Sequence, residues 1–232
     1  KFLLTAINAK FIHSNPAIYS LRACVGEKLE PHVELAEFTI NESLESILEG
    51  IWKCQPEVIG FSCYIWNWKL IREILTELPK ILPDTEIWLG GPEVIYDGSG
   101  LIREFPQVTG IMVGDGEVVE RCGLIPGLCL ASGYTAPRDL TDLTTLPFLY
   151  ENMEPFTNRI IYYETSRGCP YRCSYCLSSI DKKVRLRDIS VVKRELQFFL
   201  DQNVKQVKFI DRTFNCDHKH ATEIWQYIYE HD

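Results

Sequence analysis

Five short apolar runs, separated by turns and helical patterns, set the architecture this chain can reach. Residues 1–8 (KFLLTAIN), 33–38, 58–62, 86–89 and 110–113 are largely apolar, as strands buried on both faces of a sheet are. Between them, Ile18, Leu21 and Val25 recur at helical spacing, as do Leu44, Ile47, Leu48 and Ile51, and then Leu70, Ile71, Ile74 and Leu78. Asn41 is the expected cap of the second helix, and a short fourth helix is expected near Leu101. The alternation predicts an α/β fold, a doubly wound parallel sheet over residues 1–120. Such sheets bind ligands outside the carboxyl ends of their strands. The loops at those ends are 9–16, 63–68, 90–93 and 114–117, and the glycines among them let a ligand approach the backbone.

A second feature bears on chemistry. The apolar run 160–163 leads into Thr165-Ser166-Arg167-Gly168-Cys169-Pro170-Tyr171-Arg172-Cys173-Ser174-Tyr175-Cys176. Three cysteines at CxxxCxxC spacing after a strand form a cradle for a metal or a cluster, and iron–sulfur clusters are held by cysteine thiolates. Three ligands leave one iron of a 4Fe–4S cluster open to a small molecule. A structural zinc site is the alternative; it needs a fourth ligand, for which Cys216, His218 and His220 are candidates. Beyond the loop, Val192, Leu196, Phe199 and Leu200 mark a helix with Ser190 as its expected cap. A strand at 207–210 ends in Asp211, and Ala221, Ile224, Trp225 and Ile228 begin another helix. These are two βα units of a second domain, 159–232. Residues 121–158 read as a linker, with a small hairpin within 125–133.

The cysteine spacing, with Tyr175 as the aromatic before the third cysteine, resembles the signature of the radical S-adenosylmethionine superfamily. The resemblance implies that Cys169, Cys173 and Cys176 ligate a 4Fe–4S cluster, with S-adenosylmethionine chelating the open iron. Tyr175 would lie near its adenine and Asp211 would meet its ammonium group. Reductive cleavage then gives a 5′-deoxyadenosyl radical. That fold is a partial TIM barrel of six βα units, so this chain is expected to carry the first third of one and to be part of a longer protein.

The first domain is similar to cobalamin-binding domains. Their Asp-x-His-x-x-Gly, Ser-x-Leu and Gly-Gly motifs fall on Phe11-Ile12-His13-Ser14-Asn15-Pro16, Ser62-Cys63-Tyr64 and Gly90-Gly91, with Phe11, Pro16 and Tyr64 departing from the pattern. The resemblance implies cobalamin over the strand ends, near Asn8, His13, Ser62, Cys63, Tyr64, Gly90, Gly91, Gly114 and Glu117. His13 aligns with the cobalt-coordinating histidine. With the Asp and Gly of its motif gone, it is expected to pack the loop and not to bind cobalt. The two resemblances together imply a cobalamin-dependent enzyme that methylates, or rearranges, an unactivated carbon of a small molecule or peptide. Flavodoxin or ferredoxin would be the electron donor. The alternatives are a methylthiotransferase-like enzyme acting on tRNA, with a second cluster drawn from Cys24, Cys54, Cys63 and Cys122, and a non-catalytic cobalamin- or zinc-binding module.

Composition narrows the setting. A net charge of −8 argues against a broad nucleic-acid surface. Nine cysteines without a secretion signal read as ligands and buried thiols of a cytoplasmic protein. No run is long enough to span a membrane.

Overall fold

The computed structural model describes residues 1–116, 127–135, 139–179, 181 and 183–231. The chain divides into two compact units, 1–141 and 142–232.

The first unit is built on β1 (Phe2–Asn8), α1 (Pro16–Cys24), β2 (Val33–Thr39), α2 (Leu44–Cys54), β3 (Val58–Ser62), α3 (Trp68–Ile81), β4 (Glu86–Gly90), α4 (Gly98–Glu104) and β5 (Val108–Met112). These five strands are parallel and lie in the order β2-β1-β3-β4-β5. The doubly wound expectation therefore holds, with the order reversing between β1 and β3. Ile59, Phe61, Ile87, Leu89 and Ile111 on the strands pack against Ile47 and Ile51 of α2 and Ile71, Ile74, Leu75 and Leu78 of α3, all buried. Each such side chain contributes about 1.5–3 kcal/mol on leaving water. Pro16 opens α1 at a position where a missing N–H costs nothing, behind the Asn15 cap.

Three expectations are corrected. Ser43, not Asn41, caps α2, its hydroxyl accepting from the Ser46 N–H at 3.2 Å. Asp188, not Ser190, caps the helix at 189–201; its carboxylate accepts from the Ser190 N–H at 2.8 Å. The hairpin expected in the linker exists, as β6 (Leu128–Leu130) and β7 (Gly133–Tyr134), but it belongs to the sheet. β6 runs antiparallel to β5 and buries Leu128 and Cys129. It thereby covers what would otherwise be an open parallel edge.

The second unit contains β8 (Ile161–Tyr163), β9 (Ser166–Arg167), β10 (Arg185–Leu186), α5 (Ile189–Asp201), β11 (Val207–Phe209) and α6 (His218–His231). β8 and β11 are parallel and form a two-stranded sheet. β9 and β10 form a separate antiparallel pair that the sequence pattern did not signal. Phe199 of α5 meets Tyr150 and Tyr163 edge-on, at 5.4 and 5.5 Å between ring centres. The buried Arg187 donates to both carboxylate oxygens of Glu195, at 2.6 and 3.0 Å, and to the carbonyls of Leu143 and Leu146. Tyr163 donates its hydroxyl to the same carboxylate at 2.5 Å.

Candidate functional site

At the carboxyl ends of the first unit's strands, buried amides and one carboxylate shape the loops. Asn67, with no exposed surface, accepts from the Tyr64 N–H at 2.8 Å through its side-chain oxygen. Its amide nitrogen donates to the carbonyls of Ile7 at 3.0 Å and Ser62 at 2.9 Å. It thus ties the ends of β1 and β3 to the loop leading into α3. Asn8 donates to the His13 carbonyl at 3.0 Å and to Glu37 of β2 at 2.9 Å. Glu37 also accepts from the Asn15 N–H at 3.1 Å and from the Tyr19 hydroxyl at 2.7 Å. The Asn15 amide donates to the Ser62 hydroxyl at 3.1 Å, bridging β1's loop to β3 at the point where the strand order reverses.

The expected cobalamin contacts therefore separate by what they offer. The side chains of Asn8 and Ser62 are committed to these loop bonds. Cys63 is fully buried, its thiol facing the Phe61 carbonyl at 3.6 Å, and burial pushes its ionisation far up. What Cys63 brings is backbone: its N–H donates to the Gly90 carbonyl at 2.7 Å. Gly91 sits at φ +104, and a Cβ there would lie 2.5 Å from the Cys63 carbonyl oxygen, so only glycine fits the turn. Gly114, at φ +98, has nothing within 4 Å of its Cβ position. The glycines thus leave bare backbone in the turns after β4 and β5, of the kind a large flat ligand can lie against. Tyr64 stacks on the half-exposed Trp66, ring centres 4.4 Å apart. His13 is half-buried in the loop before α1. Glu117 lies outside the described residues. Glu37, Asn15 and Asn67 were not singled out from sequence, because each makes at least one bond that joins elements distant along the chain: Glu37 to Asn15, Asn15 to Ser62 and Asn67 to Ile7.

The second unit holds the cysteine loop at the carboxyl end of β8. The β9–β10 pair closes its base, the Cys169 N–H donates to the Asp181 carbonyl at 2.9 Å, and the Arg187 N–H to the Thr165 carbonyl at 2.8 Å. Gly168 is at φ +95, and a Cβ there would strike the Lys183 carbonyl. Cys169 is buried, whereas Cys173 and Cys176 are half-exposed, with the Cys176 N–H donating to the Cys173 carbonyl. Hydrogen bonds from the side chain and backbone N–H of Ser178 hold the Cys176 thiol below its ordinary ionisation range. Among the described residues, no three His, Cys, Asp or Glu side chains are gathered about one point as metal ligands. The fit to a cluster thus rests on the donor set, three soft thiols in one pinned loop. The same finding covers the proposed zinc ligands Cys216, His218 and His220. Cys216 lies where burial, with the nearby carboxylates of Asp217 and Asp211, raises its thiol ionisation.

Asp211 follows β11. One carboxylate oxygen accepts from the N–H and the hydroxyl of Thr165, at 3.0 and 2.9 Å. The other is buried with no hydrogen-bond partner, a demand that a donor such as an ammonium group would meet. Tyr175 is 91% exposed.

Comparison with known proteins gives a family and a fold. Residues 3–121 match the B12 binding domain model. The chain is 24% identical to the cobalamin-dependent radical SAM methyltransferase TokK of Streptomyces tokunonensis, over 74% of this chain and 29% of that relative. It is 25% identical to 2-(S-pantetheinyl)-carbapenam-3-carboxylate methyltransferase of Streptantibioticus cattleyicolor, over 75% of this chain and 29% of the relative. The chain thus spans under a third of the length of these relatives. Among solved structures, that of the radical S-adenosylmethionine methyltransferase TsrM from Kitasatospora setae, with cobalamin and a [4Fe-4S] cluster bound, superimposes with a TM-score of 0.72 at 18% identity. It covers 99% of this chain and 50% of that one, and shows the same fold. Among the described residues no helix is long and apolar enough to cross a membrane.

Proposed function

Since the chain belongs to the B12-binding domain family over residues 3–121, we propose that it serves a cobalamin-dependent radical S-adenosylmethionine methyltransferase. The observation that carries the reading is the pinned three-cysteine loop of the second unit, following a B12-binding domain in the same chain. The names of the two methyltransferase relatives support it. When bound, cobalamin supplies the methyl group, and the cluster supplies the electron that cleaves S-adenosylmethionine.

The chain's own residues hold and orient. Cys169, Cys173 and Cys176 carry the cluster, and the buried free oxygen of Asp211 attracts the ammonium of S-adenosylmethionine while its other oxygen stays on Thr165. Tyr175 offers its exposed ring to the adenine. In the first unit the glycine turns at Gly90, Gly91 and Gly114 and the backbone of Cys63 and Tyr64 form the floor for cobalamin. Ser62 and Asn8 hold that floor through Asn15 and Glu37. Glu117 is a further proposed cobalamin contact on the strength of the sequence resemblance alone. The substrate is a small molecule or peptide with an unactivated carbon, the electron donor is of the flavodoxin or ferredoxin type, and the setting is cytoplasmic.

Anaerobic purification with metal and cobalamin assays tests this. The reading expects about four iron atoms and one cobalamin per chain, and a Cys173→Ala variant that loses iron while keeping cobalamin. A colourless protein with zinc in place of iron would overturn it. About twice the iron would instead favour the methylthiotransferase-like alternative. Of the cysteines that alternative would draw on, Cys63 is fully buried with its thiol on the Phe61 carbonyl, and Cys122 lies outside the described residues.

A further inference from the structure

Thr213 lies two residues beyond Asp211, in the turn between β11 and α6, and its hydroxyl is 3.3 Å from the sulfur of Cys169. Either atom could donate in the free thiol. A cluster-bound cysteine is a thiolate and can only accept, so the proton of this contact must then come from Thr213. The turn that carries the hydroxyl is held from two sides. The Cys216 N–H donates to the Thr213 carbonyl at 3.0 Å, fixing the turn. The Ile210 N–H donates to the Tyr163 carbonyl at 2.9 Å, and Asp211 takes the two Thr165 bonds, locking the strand before Cys169 to the strand before Thr213. Cys169 is the buried member of the three cysteines, where a hydrogen bond to sulfur is least diluted by water.

Resting on the cluster reading above, we propose that Thr213 is a positioning residue for the cluster, donating a hydrogen bond to the Cys169 thiolate and raising the cluster's reduction potential. Adding an electron increases the negative charge on the cluster sulfurs. A donor aimed at one of them favours the reduced state, and hydrogen bonds to sulfur are among the factors that set such potentials. The hydroxyl thereby makes the cluster easier to reduce by a weak one-electron donor.

The test is a mediated dithionite titration of the reconstituted full-length protein, followed by electron paramagnetic resonance, with iron counted in each sample. Thr213→Val keeps the shape and removes the proton; its midpoint is expected to move to more negative potential. Thr213→Ser keeps the proton and is expected to stay at the wild-type value. A Thr213→Val midpoint equal to wild type, with iron unchanged, overturns the proposal and leaves the cluster reading standing. Wild type without iron overturns the cluster reading itself. If Thr213→Val and Thr213→Ala lose the cluster while Thr213→Ser retains it, the hydroxyl is required at Cys169 and the contact is supported. Loss in all three variants shows a role of shape alone and refutes the proposal.

Discussion

Replacing Asn67 by Leu should unhinge the carboxyl ends of β1 and β3 without a large change of volume. The substitution removes three hydrogen bonds at a site with no exposed surface. The Tyr64 N–H loses its acceptor, worth about 1–3 kcal/mol for a buried donor. The Ile7 and Ser62 carbonyls each lose a bond worth about 1 kcal/mol. The sum, about 3–5 kcal/mol, is a large share of the 5–15 kcal/mol typical of a domain. With a urea dependence of about 2 kcal/mol/M, the unfolding midpoint should fall by roughly 2 M. Tryptophan fluorescence suits the assay, because Trp52, Trp66, Trp68 and Trp88 lie in the first unit and only Trp225 in the second. Asn67→Asp adds a pH signature. It keeps an acceptor for Tyr64 but turns a carboxyl oxygen toward two carbonyls, so burial and repulsion raise its folded pKa above the unfolded value of about 3.9. A raised folded pKa means that stability is fullest below the unfolded value and is lost as pH rises through the folded one. The gap between Asn67→Asp and wild type should therefore widen from pH 5 to pH 8. A midpoint for Asn67→Leu within about 0.3 M of wild type (under about 1 kcal/mol) would refute the hub.

Arg187→Met should cost about 3–5 kcal/mol, because Glu195 is only 2% exposed and would keep only the Tyr163 hydroxyl; the double variant Arg187→Met, Glu195→Leu should recover much of that loss in thermal unfolding. Gly91→Ala forces a Cβ to 2.5 Å from the Cys63 carbonyl at a positive φ; a loss of at least about 2 kcal/mol and weaker cobalamin retention on gel filtration are expected. His13→Ala should leave the cobalt(II) resonance of bound cobalamin unchanged, and nitrogen splitting that vanished in this variant would show His13 to be a cobalt ligand.

The parallel sheet was legible because its signal is local. Apolar runs such as 58–62 and helix faces such as Ile71, Ile74 and Leu78 declare themselves within a few residues. Two residues per strand gave β9 and β10 no periodicity to read, and the β6–β7 hairpin was expected from its turn residues but not its place in the sheet. The caps were missed by two residues at both helices, since Asn41 and Ser43, and Asp188 and Ser190, are all good capping types, and only backbone geometry chooses between them. The cysteine loop was legible from its spacing; the β9–β10 clasp beneath it was not. Cys63 was placed at the right strand end, yet its thiol points into the core. Asn67 reads as an ordinary loop residue, because its acceptor in β1 lies 60 positions away.

The clasp under the cysteine loop has a thermodynamic consequence. Drawing together the ends of a free segment of about 15 residues costs roughly 2–3 kcal/mol in chain entropy. Here the two sides of the cysteine loop are already joined at its neck by β9, β10 and the Cys169–Asp181 backbone bond. On the cluster reading, folding of the surrounding strands meets part of that cost before any metal arrives. Iron affinity should then respond to residues that never touch iron. Loosening the neck at Arg185, whose guanidinium holds the Asp181 carboxylate, would make each thiol no poorer a donor, yet the three together a weaker chelator.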